Sequence, residues 1–177
     1  MTTESEIEQK VSALRAAFDR SFAQASEPGS VAHVDFLAIK VAGDCYALRL
    51  SEVASLHADR KLTATPSLLA ELTGLAGFRG VLTPVYDLAA LLGYRARAEQ
   101  KWLVRVQHAS PIGLAFEGFD QHLRVPPGRV SPPEPGASGP VQGALQSAAG
   151  RLSILDLPAV VAGIARRIQA LGPLQER

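Results

Sequence analysis

From Val31 onward the sequence repeats itself, and a repeat of this length restricts the fold to two matched halves. Phe36-Leu37-Ala38 lines up with Trp102-Leu103-Val104, Gly43-Asp44 with Ala109-Ser110, Tyr46-Ala47-Leu48 with Ile112-Gly113-Leu114, and Val53 with Phe119, all 66 residues apart and without a gap. In the first half the apolar, β-prone run Val34 to Val41, the turn Ala42-Gly43-Asp44 and the alternating run Cys45 to Leu50 read as a hairpin. The stretch Gly74 to Leu88 then reads as glycine turn, strand, aspartate cap and helix start. Val141 to Leu145 followed by Gly150 to Leu157 repeats that order about 70 residues on, one residue shorter between glycine and aspartate. Short strands at close spacing leave too little helix for parallel crossovers, so the pattern predicts two small antiparallel barrels sharing a core.

The local signals are specific. Gly74, Gly77 and Gly80 punctuate an apolar run as turn residues do, and Val81 to Tyr86, interrupted by Pro84, suits a strand near a sheet edge. Asp87 and Asp156 stand where a strand hands over to a helix, so helix capping accounts for both carboxylates without acid–base work. Gly93 stands where the short helix after Asp87 ends, and Gly150 stands in the second copy of the glycine turn. Residues 1–30 read as an amphipathic helix and linker: Ile7, Val11, Leu14, Phe18 and Phe22 share one face, Thr3 with Glu6 forms a capping box, and Pro28-Gly29 ends the segment. Residues 31–165 hold the two repeated β units, with a proline-rich loop over 124–140 expected to be extended and exposed. A last helix follows Asp156 through Val160, Val161, Ile164 and Ile168, and 166–177 is its end and tail.

Chemistry is sparse. Cys45 sits inside a strand pattern without the surroundings of a cysteine enzyme and reads as a small buried hydrophobe, while His33, His57, His108 and His122 read as surface histidines without metal-ligand spacing. The Gly74 to Gly80 run lacks the lysine and hydroxyl of a phosphate loop and leads into a strand. No catalytic residue, cofactor site or metal site is expected. Eighteen basic against 17 acidic residues give a formal charge of +1, and 6% aromatics with no basic run argue against the rival reading, a small β-barrel nucleic-acid binder. No run is long and apolar enough for a membrane-spanning helix, and with a single cysteine a cytoplasmic protein is expected. Arg79 is the one charge between Gly74 and Tyr86, placed at a turn amid apolar neighbours, which makes it a contact candidate.

Phe36 to Val41, Tyr46 to Val53, Gly74-Leu75-Ala76 with Phe78-Arg79-Gly80, Pro84 to Leu88, Gly113-Leu114 with Glu117-Gly118-Phe119, and Gly150-Arg151-Leu152 with Leu155-Asp156-Leu157 together resemble the CheW-like coupling proteins of bacterial chemotaxis. The resemblance covers roughly residues 31–165. It implies a mainly β fold of two intertwined SH3-like five-stranded barrels without catalysis or cofactor. It also implies an adaptor between chemoreceptor cytoplasmic tips and a CheA-type histidine kinase, recruited to receptor arrays at the inner membrane without inserting into it. By the same resemblance Arg79, with Phe78 and Gly80, matches a receptor-contacting Asn-x-Arg-Gly turn, and Val53 with Leu56 match an apolar pair lining the receptor groove. Ser55 stands where the family usually has a glutamate, which removes a charge from that groove, and Gly77 where it has asparagine, which frees the turn.

Overall fold

The computed structural model describes residues 32–95, 99–133, 139–147 and 150–171. The expected helix and linker of 1–30 and the tail beyond 171 lie outside the described residues. In chain order the elements are β1 (Val34–Val41), β2 (Asp44–Arg49), a 3-10 turn (Leu50–Glu52), β3 (Val53–Ala58), β4 (Leu72–Phe78), β5 (Val81–Asp87) and α1 (Leu88–Leu91). The second half adds β6 (Trp102–Val106), β7 (Gly113–Phe116), β8 (Gly118–Val125), a 3-10 turn (Pro127–Arg129), β9 (Val130–Ser131), β10 (Val141–Ser147), β11 (Gly150–Leu155) and α2 (Leu157–Ala170).

Two sheets form, and each mixes the halves. One runs β8-β1-β2-β11-β10-β9, the other β3-β6-β7-β5-β4, so the opening hairpin of each half completes the sheet built by the later strands of the other. The pairing is antiparallel within hairpins, but the two ladders that join the halves, β2 with β11 and β5 with β7, are parallel. The expectation of purely antiparallel barrels is corrected there: exchanging hairpins brings strands together across the repeat rather than through a tight turn. The two-residue β9 gives the first sheet its sixth strand, and its counterpart in the second is the single bridge Thr63–Leu75.

Three apolar clusters fill the structure. Phe36, Ala38, Ala47, Val125, Leu145, Leu152 and Ile154 fill the first barrel, and Ala76, Phe78, Val85, Leu103 and Ala115 the second. The largest cluster uses the opposite faces of the same strands: Leu37, Ile39 and Leu48 from one sheet, Val104, Val106, Leu114 and Phe116 from the other, and Leu157, Val160, Val161 and Ile164 from α2. Period-two alternation thus gives each central strand a barrel face and a shared face. Both predicted caps form. Asp87 Oδ1 accepts from Ala90 N at 3.2 Å and Asp156 Oδ1 from Ala159 N at 2.8 Å. Gly93, at φ 90°, ends α1 in a left-handed cap closed by Gly93 N–H to Ala90 O and Tyr94 N–H to Ala89 O.

The register refines the repeat. Leu37 faces Leu48 in the first hairpin and Val104 faces Leu114 in the second, so β1 and β6 are one residue out of step with the gapless alignment. The later strands have no deletion: Leu72, Gly74, Val85 and Asp87 recur at one constant spacing as Val141, Gly143, Ile154 and Asp156. The stretch from Gly74 is therefore a hairpin rather than a turn leading to one strand. Gly74 and Gly77 lie in β4, and Gly150 opens β11 opposite Ser147 instead of forming the turn. β5 is not an edge strand. Pro84 is tolerated because its partner Leu75 turns its N–H and C=O to Thr63, and pairing with β7 starts only at Val85. The proline-rich segment begins later than expected, since Arg124 and Val125 belong to β8 and Val130–Ser131 pair with β10. Cys45, expected inside, is exposed on β2 opposite Lys40.

At each β4-type bulge a glycine lets a crossing backbone close the barrel. A Cβ on Gly74 would sit 2.4 Å from Thr63 O, and one on Gly143 would sit 2.5 Å from Ser131 O. Gly74→Ala and Gly143→Ala are both expected to destabilise by about 1–3 kcal/mol, the scale of overpacking in a closed core; urea unfolding checks this, and a neutral result at either would show the closure to be soft. Thr83, fully buried in the second barrel, has no hydrogen-bond partner for its hydroxyl among the described residues. Thr83→Val should therefore raise stability by about 1 kcal/mol, and a lower melting temperature would reveal a hidden partner for the hydroxyl.

Candidate functional site

β4 and β5 are joined by the two-residue turn Arg79-Gly80 between the paired residues Phe78 and Val81. Both turn residues have positive φ, 47° for Arg79 and 83° for Gly80, the pairing that matches the right-handed twist of the strands. Glycine bears this freely. Arginine bears it at a cost of about 1 kcal/mol, so backbone geometry alone does not select an arginine here. The side chain is exposed and has no hydrogen bond or ion pair among the described residues. Beside it stand Val81, 46% exposed, and Leu82, 68% exposed, an apolar tip that the sheet leaves uncovered.

β3 divides the other predicted site residues between its two faces. A bulge between Val53 and Ser55 places Val53 opposite Val106 and Leu56 opposite Val104, so this pair packs, half-buried, against the core shared by the barrels. Ser55 and His57 face the other way, opposite Arg105 and Leu103, towards the open end of the second barrel. The grouping of Val53, Ser55 and Leu56 in one groove is thus split. Ser55 lies on the side of Phe78, linked to it through His57, whereas Val53 and Leu56 pack at the seam between barrels.

The barrel end brings in residues that sequence reasoning assigned to no site. Ser55 Oγ and His57 Nε2 are 2.9 Å apart, the His57 ring lies 4.7 Å from the buried Phe78 ring, and the Arg60 guanidinium stands 5.0 Å above that ring. Arg60 also donates to the Gly77 carbonyl. Gly77 itself lies in β4, opposite Leu82. A Cβ there would meet nothing within 4 Å, so space does not demand the glycine. The signal available in the sequence was the cation at Arg60 and the alternation that sets His57 beside Ser55. What was missing was the register that puts Arg105 across from them.

Electrostatically this end is one-sided. Burial holds the His57 imidazole below its ordinary value of 6.5, and the positive charges of Arg60 and Arg105 push it further down. Neither arginine has a carboxylate partner among the described residues. Among the described residues no group of three or more His, Cys, Asp or Glu side chains could hold a metal ion, and no helix is long and apolar enough to cross a membrane.

A family model described as CheW-like domain matches residues 35–165. Among solved structures, the scaffolding protein TtCheW from Thermoanaerobacter tengcongensis is similar at 20% identity and a TM-score of 0.64, over 70% of this chain and 89% of that one. A comparison with the curated proteins finds no match.

Because the folded state disfavours protonated His57, the unfolded chain takes up a proton at higher pH, and stability falls as pH drops below about 6.5. Urea unfolding between about pH 7.5 and 5.5 should show a smaller loss for His57→Gln than for the wild type. An equal loss in both would mean that His57 is not held neutral by its neighbours.

Proposed function

The chain belongs to the CheW-like domain family, and on that premise we propose that it is a non-catalytic adaptor coupling the cytoplasmic tips of chemoreceptors to a CheA-type histidine kinase. The observation that carries this reading is the Arg79-Gly80 hairpin tip: a strained, exposed arginine without a partner among the described residues, next to the uncovered Val81 and Leu82, on a barrel joined to a second one through the β5–β7 ladder. Strain of this kind persists where the surrounding structure over-determines it, and an arginine amid exposed apolar side chains has the composition of an interface anchor. The two barrels offer separate surfaces, as an adaptor with two partners requires. The protein then works in the cytoplasm, drawn to receptor arrays at the inner membrane by its partners, with no nucleic acid and no cofactor involved.

Sedimentation of the kinase with receptor-bearing membranes tests the reading: the protein should raise the amount of kinase recovered, and unchanged recovery would sink it. Arg79→Ala should lower affinity for a receptor-tip fragment by about thirtyfold, the equivalent of roughly 2 kcal/mol at an interface anchor. Its melting temperature should barely move, because alanine at positive φ carries the same backbone penalty and no internal contact is lost. A matching drop in melting temperature would make Arg79 a structural residue instead.

A further inference from the structure

We propose that the end of the second barrel around Ser55, His57, Arg60 and Arg105 is a recognition surface for an acidic protein segment, one whose carboxylates pair with guanidinium groups that form no ion pair among the described residues. The inference rests on the reading of that end as a partner-facing site and names the chemistry of what it takes. Four observations support it. Arg105 stands directly across from Ser55 on the same face, so the position best placed to neutralise it on the neighbouring strand carries a hydroxyl rather than an acid. Arg60 is held over the Phe78 ring and on the Gly77 carbonyl and has no carboxylate partner among the described residues. Arg79, at the adjoining turn, adds a third guanidinium without an ion pair among the described residues. Glu52 and Glu71 are engaged elsewhere, with Gln142 and Leu157 N and with Arg167, and Asp59, the exposed acid between His57 and Arg60, makes no ion pair with either arginine among the described residues.

A chain of formal charge +1 that gathers guanidinium groups at one barrel end has a local rather than a global field. Its complement is a short acidic stretch, and guanidinium groups pair with carboxylates in a bidentate way that fixes orientation. A nucleic acid fits less well. Single-strand binding uses aromatic faces as platforms for bases, and here Phe78 is buried, with His57 against its ring and Arg60 over it.

The test uses the full chain and three probes: a peptide of about 20 residues alternating glutamate and alanine, its glutamine counterpart, and a single-stranded oligonucleotide of similar charge. The acidic peptide should shift the amide resonances of His57, Arg60, Phe78 and Arg105, with an affinity that falls as salt rises, while the glutamine peptide leaves them in place. Arg60→Gln with Arg105→Gln should weaken acidic-peptide binding by about tenfold. Ser55→Glu, which sets a carboxylate across from Arg105, should weaken it as well. Melting temperatures of these variants separate lost binding from lost structure, and Ser55→Glu, by relieving repulsion, should melt no lower than wild type. Equal binding of the glutamate and glutamine peptides, shifts confined to another surface, or tighter binding of the oligonucleotide at these same residues would overturn the proposal. Failure of the kinase sedimentation leaves this result standing, and failure of the peptide to bind leaves the adaptor role standing, so the two readings fail separately.

Discussion

Two short parallel ladders hold the molecule together: Tyr46, Ala47 and Leu48 against Ser153, Ile154 and Leu155, and Val85, Tyr86 and Asp87 against Gly113, Leu114 and Ala115. Each joins a strand of one half to a strand of the other, so neither half closes a barrel by itself. The consequence is energetic as well as topological. Leu48 and Leu155, Tyr86 and Leu114 all turn their side chains into the shared core, where a fully buried large apolar side chain contributes about 1.5–3 kcal/mol. Breaking either ladder therefore opens both a barrel and the seam, and the described β structure unfolds as one unit rather than as two domains.

Polar ties at the seam fix the orientation that the apolar core alone would leave free. The Glu52 carboxylate accepts from Gln142 Nε2 at 2.9 Å and from Leu157 N at 3.1 Å, the latter in the first turn of α2, where the helix dipole favours a negative charge. Gln142 also donates to Leu155 O at 3.0 Å and accepts from Arg49 Nε at 3.2 Å. At another point Tyr94 donates to Asp44 Oδ2 at 2.5 Å and meets the Tyr46 hydroxyl at 2.6 Å; burial first, and then these bonds, hold the Tyr94 phenol protonated well above its ordinary range. Arg167 bridges Glu71 at 3.2 Å and the Leu91 carbonyl at 3.3 Å, tying α2 to the end of α1. Partly exposed pairs of this kind contribute little stability each, up to about 1 kcal/mol. Their work is directional: they set how α2 and the strands meet at the seam.

Much of this was legible in the sequence because it depends on local rules. The first hairpin lies where its alternation and Ala42-Gly43 turn put it, both aspartate caps form, and α2 follows the apolar spacing after Asp156. The repeat announced two halves, but strand exchange leaves no local trace, since a parallel ladder between distant strands needs no turn residue to mark it. Reading Gly74 as a turn failed for a related reason. Glycine marks a demand for positive φ or for empty space, and here the demand was a crossing backbone at Thr63 rather than a reversal of the chain. At the site, Arg79 stood out because it interrupts an apolar run. The separation of Ser55 from Val53 and Leu56 did not, since it follows from one bulged residue in β3 that shifts the alternation.

The same bulge explains how the proposed surface divides its tasks. Without it, the side of β3 that faces the shared core and the side that faces the barrel end would keep strict alternation from Val53. With it, Val53 and Leu56 both serve the seam, and Ser55 and His57 are left together at the mouth with Arg105. Burial first, and then the like charges of Arg60 and Arg105, lower the proton affinity of His57 there. At physiological ionic strength such a field is screened within about 8 Å, so it does little to draw a partner from afar. In the proposed interface it would act only after the apolar tip at Val81 and Leu82 had met a partner, favouring those that carry carboxylates over those that carry cations. The apolar tip and Arg79 would there supply most of the contact and the charges behind them the discrimination, which is how charge at an interface ordinarily serves specificity more than strength.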